Sequence, residues 1–390
     1  MRGLNHIDPQ RPIIFALNHP TAFIEPTLFG TKLPFSVHFL TRGDVFVKSF
    51  KWFFDASNQV PVFRFKDGFS KLRGNRDSFE LCHEKLLDDQ KLLIFCEGGM
   101  KWEKRLRKVQ PGAAKLALGT LEKNPDLPLV IHPVGINYDH PAKFQSDVMI
   151  EIKEAIEIRE YFNRYRSDTR GAIRLLTAEL EKNLSGAVIH IENEEDKELV
   201  ESLWELIKSL SPESPFVALK TFTDKLNILD PVDREKLDDS SKSYTDSLNK
   251  WRMNDREFVL ASDLKWWSWL YVLPLGLVGL IFKIFNAPPF LLADYISRKS
   301  ISIVEFVMSI KVVAGFFLYP IYLFFLIFIA SYFTTYGWFA LLLMPGGLLW
   351  TGIREKWRSA MKRIALGEKR LRKMKEDRNK LIPLIQKVMG

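Results

Sequence analysis

Cysteine is scarce in this sequence, and groups of residues that would hold a metal are missing. Only Cys82 and Cys96 occur in 390 residues, too few for a disulfide framework, so we expect two free thiols in a reducing compartment. No cluster of His, Cys, Asp and Glu has the spacing of a metal site. Residues 1–12 contain no apolar core of the length that a secretory signal peptide needs. These absences argue against a secreted or metal-dependent protein.

Net positive charge is absent from most of the chain. The whole formal charge of +9 is carried by residues 353–390, which contain 13 Lys and Arg against 4 Asp and Glu. A nucleic-acid-binding protein concentrates basic residues on its folded domain, which is not the pattern here. We therefore expect no nucleic-acid partner and a basic C-terminal tail.

Charged residues are also missing from residues 312–353, an apolar stretch of 42 residues. One transmembrane helix needs about 20 residues, so this stretch is long enough for two. Gly337 and the polar residues 334–336 divide it, which predicts a hairpin of two spans. Residues 266–293 are apolar as well, but Lys283 and two adjacent prolines interrupt them. We interpret that segment as re-entrant or surface-lying, with its tryptophans at the membrane interface.

The first 190 residues alternate apolar runs with helical patterns. Strands are predicted at 12–17, 37–41, 60–64, 91–96, 129–136 and 148–152, and helices at 69–89, 112–121 and 170–184. This alternation is typical of an α/β fold with a mixed sheet flanked by helices. We predict four parts: the α/β domain at 1–190, a helical connector at 191–263, the membrane region at 264–353 and a basic cytoplasmic tail at 354–390.

One histidine lies where the first apolar strand ends, in the sequence Asn18-His19-Pro20, with Glu25 six positions after it. Proline suits the start of a helix but not its interior, so His19 is predicted in a turn and Glu25 in the first helical turns. A histidine steered by a carboxylate can take a proton from a hydroxyl near neutral pH. A turn histidine beside a surface glutamate is the alternative that this segment alone leaves open.

Three later blocks extend the pattern, and they read Val-Pro-Val-Phe-Arg at 60–64, Leu-Leu-Ile-Phe-Cys-Glu-Gly-Gly at 92–99 and Ile-His-Pro-Val-Gly-Ile at 131–136. In this order, over roughly the first 140 residues, the four blocks resemble glycerolipid acyltransferases of the lysophosphatidate acyltransferase type. The five residues between His19 and Glu25 resemble a subgroup that includes fungal-type glycerol-3-phosphate acyltransferases. Two departures concern the third block, where Cys96 replaces a common proline and Gly99-Met100 stands where Thr or Ser is common. Residues 3–7 resemble the phrase before the first core strand of the family, so we expect a shortened or misassigned amino terminus.

The resemblance implies a role for each block. His19 is the expected general base and Glu25 the carboxylate that orients it. The expected substrate-binding residues are Asn18, Arg64 for the acceptor phosphate, Glu97, Gly98 and Gly99 for the glycerol, Lys101, and Pro133. The donor is a fatty-acyl thioester, carried by CoA or acyl-carrier protein, and the acceptor is a lysophospholipid or glycerol phosphate. The acceptor hydroxyl attacks the thioester directly, with no cofactor and no covalent intermediate.

Several of these residues keep a structural alternative. Arg64 could form a surface salt bridge, and Glu97 could simply end a strand. The basic loop at 101–108 suits donor phosphates or anionic headgroups, but equally a solvated charge run. Cys96 could be a nucleophile, although a cysteine that ends an apolar strand is more often inert and buried.

The sequence thus predicts a multi-pass membrane acyltransferase with its catalytic domain and tail on the cytoplasmic side. The first expected product is phosphatidate made from lysophosphatidate, as in phospholipid biosynthesis. Glycerol-3-phosphate is the next acceptor, and an aminolipid hydroxyl follows. A membrane lipid-binding scaffold is the non-enzyme alternative, and the joint presence of His19, Glu25, Arg64 and Glu97 argues against it.

Overall fold

The computed structural model describes residues 1–22, 24–43, 49, 51–62, 69–140, 146–300 and 303–390. It divides into two compact units. The first unit comprises Met1–His190 with Val304–Met308, and the second comprises Ile191–Ile303 with Ser309–Gly390.

The first unit is built on a mixed β-sheet. Its strands within the described residues are β1 (Ile13–Leu17), β2 (His38–Arg42), β3 (Gln59–Val62), β4 (Lys91–Phe95), β5 (Val130–Tyr138), β6 (Val148–Ile152) and β7 (Ile156–Glu157). The strand order is β3-β2-β4-β1-β5-β6, with β7 also paired to β5. Strands β1 to β5 are parallel, and β6 and β7 run antiparallel to β5. The predicted mixed sheet is therefore confirmed.

Helices cover this sheet. They are α1 (Ile24–Gly30), α2 (Lys51–Ala56), α3 (Phe69–Leu87), α4 (Gly112–Lys123), α5 (Arg159–Ser167) and α6 (Thr169–Ser185). Strand β1 lies between β4 and β5 and all five of its residues are buried, as expected for a central parallel strand covered on both faces. Alternate residues of β1 enter opposite cores, Ile14 and Ala16 in one and Ile13, Phe15 and Leu17 in the other.

The carboxyl ends of the parallel strands lie at one edge of the sheet. Leu17 at the end of β1 is in register with Phe95 at the end of β4, so the residues that follow each strand are neighbours. In open α/β sheets, ligands bind at the carboxyl ends of the strands. The His19 block and the Glu97 block both begin at this edge.

The second unit is helical. Its helices within the described residues are α7 (Asp196–Leu210), α8 (Pro215–Asn227), α9 (Pro231–Lys250), α10 (Asp255–Ser262), α11 (Trp269–Ser300), α12 (Val304–Phe333) and α13 (Leu343–Met389), where the first turn of α12 belongs to the first unit. Helices α7 to α10 fill the predicted connector. Each of them has several buried apolar residues, so the connector is a packed helical bundle.

The apolar region is helical over most of its length. The segment at 266–293 forms most of one continuous helix, α11, which keeps Pro274, Pro288 and Pro289 inside it. Neighbouring groups can satisfy the backbone freed by proline in an apolar helix, so a break for a re-entrant loop is not required. By length and apolarity, Trp266–Lys299 and Glu305–Phe333 are the two candidate membrane spans among the described residues. Residues 337–353 are divided between a short 3-10 turn and the start of α13.

The basic segment at 354–390 is helical up to Met389, with a kink at Gly367, and it packs within the second unit. Its side chains Leu371, Met374, Leu381 and Ile385 are buried, at the spacing of one helical face. Arg378 donates to both carboxylate oxygens of the buried Asp255, at 2.7 and 3.1 Å. Composition alone missed this packing because apolar residues are a minority among so many charges.

Candidate active site

His19 and Glu25 meet at the carboxyl edge of the sheet. Nδ1 of His19 lies 3.2 Å from Oε2 of Glu25, and the Glu25 side chain is completely buried. The contact is possible because α1 begins at Ile24, so His19 lies in the preceding turn while Glu25 lies in the first helical turn. A carboxylate facing Nδ1 favours the proton on that nitrogen and leaves Nε2 as the basic atom.

The second oxygen of Glu25 is held by Thr21. The backbone N–H and the hydroxyl of Thr21 both donate to Oε1, at 2.5 and 2.6 Å. Tyr138, at the end of β5, is also buried near this carboxylate, and its pKa is raised first by burial and then by the charge of Glu25. The carboxylate therefore has little freedom to rotate, which fixes the side of the imidazole that it faces.

The backbone of His19 is fixed on both sides. Its N–H donates to Oε2 of Glu97 at 3.0 Å, and its carbonyl accepts from the N–H of Lys101 at 3.2 Å. The imidazole stacks on Phe95, with ring centroids 3.7 Å apart and planes 13° from parallel. The histidine is thereby pre-oriented before any substrate arrives.

Glu97 has a positioning role in this structure. Its other contacts come from Arg107, whose backbone N–H donates to Oε1 at 2.9 Å and whose guanidinium donates to Oε2 at 2.7 Å. The same guanidinium also donates to the carbonyl of Gly99. The predicted grip of Glu97 on the acceptor glycerol differs from this arrangement, because the carboxylate is buried and already bound by the loop at 97–107.

A cavity of about 280 Å³ opens beside His19. All of its lining residues belong to the first unit, and most are apolar. The lining includes His19, Leu40, Arg42, Val62, Phe79, Ile94, Phe95, Cys96, Gly98, Gly99, Ala113 and Phe306. Such a pocket suits a hydrocarbon chain whose reactive end lies at the histidine.

Arg42 is the functional candidate that the sequence reasoning missed. It ends β2 and lines the pocket with His19. The available signal was its position at the end of a strand, as for the histidine. The predicted phosphate ligand, Arg64, lies outside the described residues.

The remaining predicted substrate-binding residues are divided by the structure. Gly98 and Gly99 line the pocket. Asn18 is buried, and its side-chain amide donates to the carbonyl of Ile136 at 3.0 Å and accepts from the N–H of Ile136 at 2.7 Å. Lys101 points its ammonium to Glu103, at 2.9 Å, and Pro133 is buried in β5 opposite Ala16 of β1. None of Asn18, Lys101 and Pro133 is among the pocket-lining residues of the described chain.

Cys96 lines the pocket, but its buried thiol is poorly suited to nucleophilic attack. Burial raises its pKa, and the charge of Glu97 adds to this effect. A thiol that stays protonated is a weak nucleophile. The nearby Gly98 has a role in the backbone geometry, because its φ is +68°. Other residues adopt this left-handed conformation at a cost of about 1–2 kcal/mol.

Known proteins resemble this domain. The chain is 32% identical to glycerol-3-phosphate O-acyltransferase 1 of Saccharomyces cerevisiae over 123 residues, which is 31% of this chain and 16% of the yeast protein. Glycerol-3-phosphate O-acyltransferase 2 of the same yeast is 27% identical over 111 residues, 28% of this chain and 15% of that protein. An uncharacterized acyltransferase of Schizosaccharomyces pombe is 34% identical over 80 residues, 20% of this chain and 12% of the relative.

Each relative is thus matched over a small part of its own length. The acyltransferase family model matches residues 1–137, from before β1 to the penultimate residue of β5, and it includes the His19 and Glu97 blocks that the structure brings together. Residues 1–137 of this chain, about a third of its length, are therefore similar to the acyltransferase family.

Proposed function

We propose that the protein is an O-acyltransferase that moves a fatty-acyl group from a thioester to a hydroxyl of a glycerol phosphate. The 3.2 Å contact between His19 and the buried Glu25, beside an apolar pocket, carries the proposal. This pair can remove a proton from an alcohol, and the pocket offers space for an acyl chain next to it.

The reaction follows from this geometry. Nε2 of His19 takes the proton of the acceptor hydroxyl as its oxygen attacks the thioester carbonyl. Glu25 stabilises the imidazolium that forms. The tetrahedral intermediate then collapses, the carbon–sulfur bond breaks, and the imidazolium returns the proton to the departing thiolate. This reaction needs no nucleophile from the enzyme, and Cys96, whose pKa is raised by burial, is poorly suited to be one.

Two acceptors fit the site. Glycerol-3-phosphate is the first candidate because two of the relatives are named for it. Lysophosphatidate, the acceptor that the sequence predicts first, is the second candidate, since the apolar lining also suits an acceptor with its own acyl chain. Both carry a phosphate, and Arg42, which lines the pocket, is the candidate partner for it because a guanidinium can bind phosphate through two hydrogen bonds, with Arg64 as a further sequence-based candidate.

The acceptor assignment can be measured with the full chain in mixed micelles. With acyl-CoA as donor, we expect a higher kcat/KM for glycerol-3-phosphate than for lysophosphatidate. Arg42→Ala should raise the acceptor KM about 10- to 100-fold, as expected for loss of a charged hydrogen bond, with little change in the donor KM. Arg42→Lys should recover only part, because an ammonium lacks the two-point contact. The same two substitutions at the other candidate, Arg64→Ala and Arg64→Lys, test in the same way whether Arg64 binds the phosphate.

The acceptor result separates three outcomes. A higher kcat/KM for lysophosphatidate would select the second candidate. Transfer to neither acceptor would contradict the proposal. Equal effects of Arg42→Ala on donor and acceptor KM would remove Arg42 from the phosphate site.

We also propose a membrane arrangement in which the catalytic domain and residues 354–390 share the cytoplasmic side. Val304–Met308, the start of α12, belongs to the first unit, which contains the catalytic domain. If α11 and α12 were both spans, the start of α12 would lie across the membrane from that domain. We therefore favour a surface-lying α11 and a hairpin within 312–353.

Single cysteines test this topology. Gln10→Cys and Lys380→Cys should react with an impermeant maleimide from the same side of sealed vesicles, and Tyr336→Cys from the opposite side. All three positions are exposed, and the wild type gives the background because Cys82 and Cys96 are buried. Labelling of positions 10 and 380 from opposite sides would require an odd number of crossings. Labelling of all three from one side would exclude the hairpin.

A further inference from the structure

The pocket beside His19 is completed by residues far outside the part of the chain that matches the acyltransferase family. Val304–Met308, the first turn of α12, belongs to the first unit. Phe306 in this turn lines the pocket together with His19. The family model ends at residue 137, so this wall of the pocket is an addition made by the C-terminal region.

The turn is attached directly to the loop that holds the histidine. Oε1 of Glu305 accepts the backbone N–H of Trp102 at 2.7 Å. The preceding residue, Lys101, donates its own N–H to the carbonyl of His19. A charged acceptor on a backbone N–H makes a strong hydrogen bond, so Glu305 fixes the position of the turn relative to His19.

We propose that Phe306 is a specificity-determining residue that packs against the acyl chain of the donor, and that Glu305 is the positioning residue that holds it there. The inference rests on the proposed acyl transfer. Its physical basis is the composition of the pocket, in which Phe306 faces a lining that includes Leu40, Val62, Phe79 and Ile94. An aromatic ring in such a lining limits the length or path of a hydrocarbon chain, because each methylene must find apolar contact without overlap.

Substitution of Phe306 tests this role in the full chain. The measurement is kcat/KM for a series of saturated acyl-CoA donors of increasing length, at saturating acceptor. Phe306→Ala should shift the preference toward longer chains and Phe306→Trp toward shorter ones. The ratio between neighbouring donors should change about tenfold, as expected for an apolar pocket that gains or loses room for a methylene. Phe316→Ala, an exposed phenylalanine on the same helix, is the matched control and should leave the profile unchanged.

The role of Glu305 is tested by the chain-length profile, which a merely structural role would leave unchanged. Glu305→Ala should reproduce the altered chain-length profile of Phe306→Ala, because the turn is released. Glu305→Gln keeps an oxygen acceptor and should restore most of the wild-type profile. A uniform loss of rate with an unchanged profile, in either the Phe306 or the Glu305 variants, would overturn the inference.

Binding separates this inference from the proposed reaction. A non-transferable thioether analogue of acyl-CoA can be titrated calorimetrically into the wild type and Phe306→Ala. Analogue binding whose chain-length dependence changes in Phe306→Ala supports the inference even if no transfer is found, in which case only the proposed function fails. Identical dependence in both proteins, or no binding by the wild type, contradicts it.

Discussion

Replacing His19 with alanine should abolish acyl transfer while the first unit stays folded. The imidazole is the proposed base, and a positioned base typically contributes about 10²–10⁴-fold to the rate. Its side chain lies at the pocket and is 16% exposed, so its removal leaves the two cores of the sheet intact. The measurement is the initial rate of ester formation, with circular dichroism and thermal melting as checks on the fold.

Glu25 and a second histidine complete this experiment. Glu25→Gln should lose most of the activity because the imidazolium is no longer stabilised, and Glu25→Asp should recover part of it. His6→Ala is the control, since His6 is an exposed histidine of the same unit whose ring bonds the carbonyl of Ile152 in β6. Near-normal turnover by His19→Ala would show that another group removes the proton.

Substitution of Glu97 should lower kcat about 10²-fold with little change in the acceptor KM. In Glu97→Ala the backbone of His19 and the guanidinium of Arg107 both lose their acceptor, and a shift of about 1 Å at a catalytic group costs this much in rate. The lost buried hydrogen bonds should also lower the free energy of unfolding by about 1–3 kcal/mol. Steady-state kinetics for both substrates and denaturant unfolding are the two measurements.

Arg107 provides the matched comparison for Glu97. Because Arg107 touches Glu97 and Gly99, Arg107→Ala should reproduce part of the kcat loss. The double variant Glu97→Ala with Arg107→Ala should show less than the sum of the two single losses, as expected for residues in one network. A large rise in the acceptor KM with unchanged kcat would instead return Glu97 to the acceptor-binding role that the sequence suggests.

The sheet and the contact between His19 and Glu25 were accessible to sequence reasoning because both depend on local signals. Apolar runs mark β1 and β4, and Pro20 marks the turn that lets His19 and Glu25 meet. The predicted strand ends differ from the observed ones by one or two residues. The two-residue strand β7 was not predicted, because it is too short to show an alternating pattern.

The functions of individual side chains at the edge were less accessible. A glutamate after a strand looks the same whether it binds substrate or its own loop, and the choice for Glu97 depends on where Arg107 lies, ten residues later. Arg42 was not predicted because it belongs to none of the four sequence blocks. It reaches the pocket because it lies at the end of β2.

Long-range contacts were out of reach of any local pattern. Glu305 contacts Trp102 across a separation of 203 residues, and the apolar context of Phe306 resembles the rest of α12. The sequence analysis interpreted the basic C-terminal segment from its charge alone. In the structure, burial of Leu381 and the ion pair between Arg378 and Asp255 hold this segment in place.

The fate of a labelled acyl group tests the central claim most directly. Full-length protein is mixed with radiolabelled acyl-CoA and glycerol-3-phosphate or lysophosphatidate, quenched over time, and separated into lipid and protein fractions. The account predicts that the label appears in an ester of one acceptor, that none stays on the protein when the acceptor is omitted, and that His19→Ala gives only background. Label retained on the protein, or released only as free fatty acid, would contradict direct transfer with His19 as the base.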